Sequence, residues 1–600
     1  MGSKQSVLQE KGYTVMSEQD NEIMVKNNDG DQFVIKKLNA NQNEASDFLQ
    51  KLNHPHIVHH KEIIKDGDCL YLVMELCEGG DVSQKIKDKK KETERLICFS
   101  EYEILDWTVK ICMALKHLHD QQILHKNLQP KSLFFTACGT IRLGEFGVIH
   151  EWSSGTQTAN TEALSYIAPE ILKGGPYDEK SEIWNLGCII YEMCMQKCAV
   201  RFFFDQILSM FPDYYTCFLY SLIFFYISSY SSSIYLQTSR LIFMPVFSLQ
   251  EKRTADIIPK ILNGSYEALP MNFSEDLRQL VKDTLQIDPA NRPSVNEILM
   301  RPFLIQHLYE MSTKTVNKLN VCKNDEEATN ESEDSQEAPV ESQVSLKVLE
   351  ELADGLERVH FNTTVGSLAG GVVGLAGGIT SIVGLILTPF TLGASLIVTG
   401  VGIGVAVAGG VASGVSNITK MVNQRSDRQK VKLLITDMQE KITSTSYCIQ
   451  NIQIAVETQR LLSESNESWL NAQSGENTLI SAGARLGRGL GGVAELVRLA
   501  QVTSVGRIAA QTARVVRVAE VATGVLTGLF VAVDIFFVAL DSKEIHNIRR
   551  DSASTNKKEQ ELRSEIMKFV NKIRETKKEL KEILNELKVA LQSLEPQIPN

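Results

Sequence analysis

The residues of this 600-residue sequence that could do chemistry fall at its start, in its first half and near its end. At the start, Met1-Gly2-Ser3-Lys4-Gln5-Ser6 puts a small residue and a serine behind Gly2 at the spacing an N-myristoyltransferase reads. Gly2 is therefore a candidate lipidation site, and an unmodified start is the alternative. In the first half, Val34-Ile35-Lys36, His125-Lys126-Asn127-Leu128-Gln129-Pro130 and Leu143-Gly144-Glu145-Phe146-Gly147 supply a cation, neutral amides and a carboxylate. Near the end, Asp534 is the one acid in the apolar run Val521 to Leu540. An ionisable group there is costly unless paired, hydrated or protonated, so protonation of Asp534 at acid pH would ease entry of the run into a bilayer.

The elements that must position these residues belong to two different kinds of chain. At this length two or more domains are expected, each burying its own core. The net charge of -11 gives no global basic field and makes nucleic acid a poor candidate partner. Eleven cysteines without framework spacing, behind a start that lacks an apolar signal, suit a reducing intracellular compartment rather than secretion. Strand-like alternation with turns marks residues 10 to 80, as in Asp31-Gln32-Phe33-Val34-Ile35-Lys36, and helical periodicity follows to about residue 310. From Lys323 to Ser342 acids crowd in and apolar residues thin out, the composition of a disordered linker.

Beyond the linker, no Asp, Glu, Lys or Arg occurs between Arg358 and Lys420, and Pro389 divides this stretch into two arms of membrane-spanning length. Gly366, Gly370, Gly374 and Gly378 repeat every fourth residue, so on a helix they share one face and admit a second backbone, as in small-xxx-small packing. A membrane hairpin and a soluble hairpin wrapped by amphipathic helices both fit. The arginines from Arg485 to Arg517, set among Ala, Val and Leu, suit either an anionic lipid surface or a solvated helix face. Leu562, Ile566, Phe569, Ile573, Thr576, Leu580, Ile583 and Leu587 then recur at steps of four and three, a coiled-coil seam within the chain or between chains. One uncharged segment, Asp213 to Arg240, fits neither half. It reads as part of an insertion foreign to the fold, with a spanning helix as the alternative, because a span there would tear one packed core in two.

Five motifs in order carry a resemblance to the NIMA-related serine/threonine kinases. They are the two loops around Asn127 and Glu145, then Ala168-Pro169-Glu170, Trp184-Asn185-Leu186-Gly187 and Asp288-Pro289-Ala290-Asn291-Arg292-Pro293, behind a hinge-like run from Leu72 to Asp81. The resemblance implies that Lys36, with Glu75 and Cys77 of the hinge, lines a degenerate ATP site, a solvated strand lysine being the plain reading of Lys36. It implies also that Asn127 stands at the catalytic aspartate, Gln129 at the lysine that steadies the transferred phosphate, and Ser132 and Glu145 at the two magnesium positions. An amide at 127 cannot take the substrate proton, the extra methylene of Glu145 shifts its oxygens by about 1 Å, and Gly12 to Asp20 lacks G-x-G-x-x-G. The expectation is a pseudokinase with at most weak ATP and magnesium binding and a protein partner, and the rival is an atypical membrane-associated kinase. Glu170 and Arg292 match the ion pair that anchors the large lobe.

The acidic linker, the uncharged glycine-rich stretch, the single-acid apolar run and the terminal zipper together resemble the apolipoprotein L family, which implies lipid binding and membrane association. The expected architecture is multidomain. An α+β bilobal protein-kinase-like fold covers 8–310, with 200–250 as the foreign insertion. An acidic linker covers 311–344. An all-α membrane-active domain with a glycine-rich hairpin and a C-terminal coiled coil covers 345–595. The expected setting is intracellular, cytoplasmic and membrane-associated, with a lipid bilayer as partner and a second copy bound through the coiled coil.

Overall fold

The computed structural model describes residues 7–19, 22–28, 30–39, 52–66, 69–92, 99–146, 165–196, 266–321, 345–365, 414–473, 515–540 and 555–598, with single positions at 262 and 386. The expected insertion at 200–250, the acidic linker from 322 to 344, Gly2 and the glycine ladder from Gly366 to Gly378 lie outside the described residues. The chain divides into two compact units, Met1–Leu304 and Ile305–Asn600.

The first unit opens with a five-stranded antiparallel sheet. Its strands are β1 (Thr14–Gln19), β2 (Glu22–Lys26), β3 (Gln32–Asn39), β4 (His60–Asp66) and β5 (Cys69–Glu75), in the order β1-β2-β3-β5-β4. Alternation does the sorting. Ile23, Val25, Ile35, Ile64, Tyr71 and Val73 point to one face and bury with Leu8 and Tyr13, while Lys36 falls on the opposite face of β3, as period two requires. Helices follow. They are α1 (Val82–Glu92), α2 (Glu101–His119), α3 (Pro169–Leu172), α4 (Glu179–Met195), α5 (Glu275–Thr284) and α6 (Val295–Leu299), with a small hairpin of β6 (Leu133–Phe135) and β7 (Ile141–Leu143) between α2 and α3.

Local sequence sets the ends of these helices. Ser100 with Glu103 and Ser294 with Glu297 form reciprocal capping boxes, and the Asp178 carboxylate takes the first amides of α4. From Ser181 to Tyr191 every residue of α4 is buried, so the helix lies inside the core, with its polar side chains Ser181, Glu182 and Asn185 hydrogen-bonded there. Gly187 is required there, since a Cβ would stand 2.5 Å from Thr284 Oγ1 on α5. Arg292, fully buried, grips Glu170 with both terminal nitrogens at 2.8 and 2.7 Å, donates to the Gln286 carbonyl at 2.7 Å, and lies 5.1 Å over the Trp184 ring. This bidentate pair is the anchor the sequence motifs suggest.

Helix α7 (Pro302–Leu319) runs from the end of the first unit into the second. The expected boundary at 310 therefore falls inside a helix, and residues 311–319 are helical rather than linker. Apolar residues at Leu308, Met311, Val316 and Leu319 keep burying one face, so helical periodicity outlasts the kinase-like motifs by several turns.

The second unit is helical, with α8 (Leu346–Val365), α9 (Gly414–Gln473), α10 (515–540) and α11 (Thr555–Leu594). Helices α8 and α11 run antiparallel. Arg574 meets Asp354 at 3.3 Å and also Glu357, while Lys577 reaches back to Glu350 at 2.8 Å. Between them Leu349, Leu352 and Leu356 of α8 and Ile573, Leu580, Leu584 and Leu587 of α11 are buried. Phe536 of α10 stacks on Phe569 of α11 with centroids 4.5 Å apart. Of the seam residues, Ile566, Phe569, Ile573, Thr576, Leu580, Ile583 and Leu587 are buried within this unit.

Candidate functional site

The candidate site of the first unit is assembled from β3, the loop after α2 and the turn after β7. Lys36, midway along β3, lies in register with Glu22 on β2 and Leu72 on β5. Its ammonium stands 3.4 Å from the Glu145 carboxylate, with the two side chains 31% and 27% exposed, so the pair is open to solvent rather than sealed. Glu145 has φ +53, in the left-handed region that non-glycine residues seldom enter. The backbone there is held from beneath. His125, fully buried, joins the Gly144 carbonyl at 2.8 Å through Nε2, and its ring packs 4.7 Å from that of Phe146. His60 of β4 contacts the other side of Phe146 at 6.0 Å.

Asn127 and Gln129 form a closed set of amide contacts. Asn127 Nδ2 donates to the Glu145 carbonyl at 3.0 Å, and Gln129 Nε2 donates to Asn127 Oδ1 at 2.8 Å. Ser132 Oγ donates to the Gln129 carbonyl at 2.8 Å and accepts from the Gln129 amide at 3.1 Å. Both ends of the Asn127 amide and the buried Ser132 hydroxyl are therefore occupied by the chain itself. Behind the loop, Lys126 also has positive φ, at +62, and its amide donates to Glu182 Oε1 at 2.8 Å, while the His119 ring meets Glu182 Oε2 at 2.7 Å. The Glu182 carboxylate thus ties the loop to α2.

The hinge residues behave differently from one another. The Glu75 carboxylate is committed to Arg142 on β7 and accepts from the His59 amide at 2.7 Å, so its side chain ties β5 to β7 and to the residue before β4. Cys77 is half-buried, and Gly79 beyond it pairs with Phe135, where a Cβ would stand 2.7 Å from the Phe135 side chain. Sequence reasoning missed the partner Arg142, because a contact across 67 residues carries no local signal.

Burial also sets the protonation of the histidines around this site. Desolvation drives His56 down to about 3, with Lys110 and Arg142 adding repulsion against the favourable contact to the Ile141 carbonyl. Burial takes His60 down to about 4 and holds His54 well below its ordinary range. All three rings are neutral at physiological pH.

A magnesium ion needs nearly octahedral oxygen ligation, usually with one or two carboxylates. Here Glu145 is already paired with Lys36, while Ser132 Oγ and Asn127 Oδ1 are already hydrogen-bonded. This donor set does not fit the metal.

In the second unit, Asp534 is not isolated. Arg428 and Lys432, one turn apart on α9, converge on its Oδ1, with Arg428 at 2.8 and 2.9 Å and Lys432 at 2.9 Å. The Lys432 ammonium also lies 4.4 Å over the Phe530 ring. The i,i+4 spacing of two cations on a helix was the one sequence signal for this clamp. By length and composition α10 could cross a membrane, with mean hydropathy 2.2. Val521, Val531, Ile535 and Val538 are each at least half exposed and share one face of it. Nothing lies within 4 Å of where a Cβ would stand on Gly524, which is on the same side.

Comparison with known proteins bears on both units. The protein kinase domain model matches residues 16–304, and the apolipoprotein L model matches residues 336–565. Serine/threonine-protein kinase Nek1 of Mus musculus is 30% identical over 298 residues, which are 48% of this chain and 20% of that protein. Serine/threonine-protein kinase Nek4 of Mus musculus is 30% identical over 334 residues, 53% of this chain and 34% of its own length. Probable serine/threonine-protein kinase nek3 of Dictyostelium discoideum is 32% identical over 302 residues, 48% and 22% of the two chains. The chain thus spans between a fifth and about a third of the length of these relatives.

Proposed function

We propose that this chain, which carries a NIMA-related-kinase-like protein kinase domain followed by an apolipoprotein L domain, is an intracellular lipid-binding protein whose kinase-like half acts as a binding or regulatory module. One observation carries the reading. Helix α10 is long and apolar enough to cross a bilayer and keeps an exposed apolar face of Val521, Val531, Ile535 and Val538. Water makes such a face costly, at about 25 cal/mol per Å² of apolar surface, and a lipid surface relieves that cost.

The non-catalytic reading of the first half rests on Asn127. A neutral amide held by Glu145 and Gln129 has no basic lone pair to take a hydroxyl proton. What the fold keeps is architectural, namely the Glu170–Arg292 pair and the buried α4, which suits a surface that binds another protein. Acylation of Gly2 would add a second anchor, since one acyl chain alone holds a membrane only marginally.

A second reading, a membrane-associated atypical serine/threonine kinase using ATP, is favoured by Lys36 and Glu145 lying 3.4 Å apart and by the packed His125–Phe146 contact. Two assays separate the readings. In liposome flotation the full chain should rise with the vesicles and a chain ending at Asp334 should not. In a phosphotransfer assay with ATP and a generic protein substrate the full chain should be silent. Phosphate transfer that Lys36→Ala abolishes would refute the non-catalytic reading, and equal flotation of the two chains would refute the lipid-binding one.

A further inference from the structure

The groups around Glu145 suggest what replaced the metal. A working phosphotransfer site uses magnesium to neutralise a carboxylate and fix the loops around it. In this site three contacts from the chain itself occupy those positions. The Lys36 ammonium stands 3.4 Å from the Glu145 carboxylate, the Asn127 amide holds the Glu145 carbonyl at 3.0 Å, and Gln129 closes on Asn127 at 2.8 Å. Ser132, the other position where a metal ligand would fall, has its hydroxyl tied twice to the Gln129 backbone and no exposed surface.

We infer that Lys36 is the resident counter-ion of this cleft, standing in for magnesium at Glu145, so that the cleft is indifferent to divalent cations and any phosphate entering it meets the Lys36 ammonium without a bridging metal ion. The substitution is chemically asymmetric. A divalent ion gathers several oxygens, whereas an ammonium offers one charge and three donors and organises fewer groups. Amide hydrogen bonds at 127 and 129 supply the remaining order, and they require no ligand. Glu22, exposed and opposite Lys36 in the β2–β3 register, adds negative charge beside it and lowers the attraction for phosphate. The inference rests on the reading of this half as a module that has left phosphotransfer.

The test uses the full chain and manganese alone, followed by the electron paramagnetic resonance signal of the free ion. Expected is no manganese binding that Glu145→Gln removes, which discounts binding by the acidic residues 325 to 341. Removing the resident cation should open the site. Lys36→Ala should create manganese binding where the unaltered chain shows none at this site, and Lys36→Ala with Glu145→Gln should abolish it. Unfolding midpoints with ATP should be the same in EDTA and in magnesium chloride, whether or not ATP shifts them.

Manganese bound by the unaltered chain and released by Glu145→Gln would overturn the inference, as would an ATP shift that needs magnesium. So would a Lys36→Ala variant, folded by circular dichroism, that gains no Glu145-dependent binding. The two readings fail separately. Phosphotransfer without Glu145-dependent manganese refutes only the non-catalytic reading, and Glu145-dependent manganese without phosphotransfer refutes only this one.

Discussion

Replacing Asp534 by asparagine should loosen α10 from α9 and strengthen membrane binding at neutral pH. In the folded unit Asp534 Oδ1 receives Arg428 at 2.8 and 2.9 Å and Lys432 at 2.9 Å, with side-chain exposures of 32% for the acid, 21% for the arginine and 10% for the lysine. Gross attraction at such distances is several kcal/mol at an effective dielectric near 20, but partial solvation and screening reduce it. Breaking the clamp also leaves the Arg428 and Lys432 cations one turn apart with no Asp534 charge between them. The Phe530 ring keeps part of its hold on Lys432. A net loss of about 1 to 3 kcal/mol follows, or about fivefold to a hundred-and-fiftyfold in the local opening equilibrium.

Hydrogen exchange of the full chain, read by mass spectrometry on peptides from 515–540, measures that equilibrium directly. Asp534→Asn should accelerate exchange there by that factor and leave peptides of β3 and α4 unchanged. Because the three groups act as one, the combined change of Asp534→Asn, Arg428→Gln and Lys432→Gln should cost less than the sum of the single changes. Flotation of Asp534→Asn at neutral pH should exceed that of the unaltered chain, since both the clamp and the charge are gone. Unchanged exchange in α10, or strictly additive effects, would refute the clamp as the element that holds this helix.

Three further outcomes follow from the same contacts. His56, His60 and His54 have folded values depressed below 6.5, so the unfolded chain binds more protons at acid pH. Stability of the first unit should be full above pH 6.5 and fall by about 1.4 kcal/mol per pH unit per histidine between 6.5 and about 4. Urea titrations across that range should show it, and a flat profile from pH 6.5 to 5 would contradict it. Burial lifts Asp427 on α9 to about 6 despite Lys430 at 3.8 Å, and its Oδ2 has no hydrogen-bond partner. Its stabilising neutral form is full below 3.8 and lost as pH rises through 6, so Asp427→Asn should raise the unfolding midpoint more at pH 7.5 than at pH 5. Asn127→Asp alone should not create phosphotransfer, because a carboxylate oxygen would replace the Nδ2 that donates to the Glu145 carbonyl at 3.0 Å, at a cost of about 1 to 3 kcal/mol. Activity in that single variant, assayed with ATP and magnesium, would overturn the account of the amide ring.

The sequence by itself determined the kinds of element and the order of the two halves. Period-two alternation fixed β2 and β3 and the face that carries Lys36. Capping residues such as Ser100, Asp178 and Ser294 fixed where helices begin, because these effects act within a few residues. The five ordered motifs placed Asn127, Ser132 and Glu145 in one loop region, and the apolar run around Asp534 marked α10. Only the tertiary structure decided what those side chains face. Nothing local to Glu75 announces that Arg142 and the His59 amide hold its carboxylate. Asp534 was read as a lone acid in a span, yet Arg428 and Lys432 close on it from a helix more than a hundred residues earlier. Residue 310 was read as a domain edge, yet α7 passes through it. The reason is common to all three. Spacing along the chain encodes periodicity and local bonds, whereas a charge finds its partner only when packing brings distant segments together.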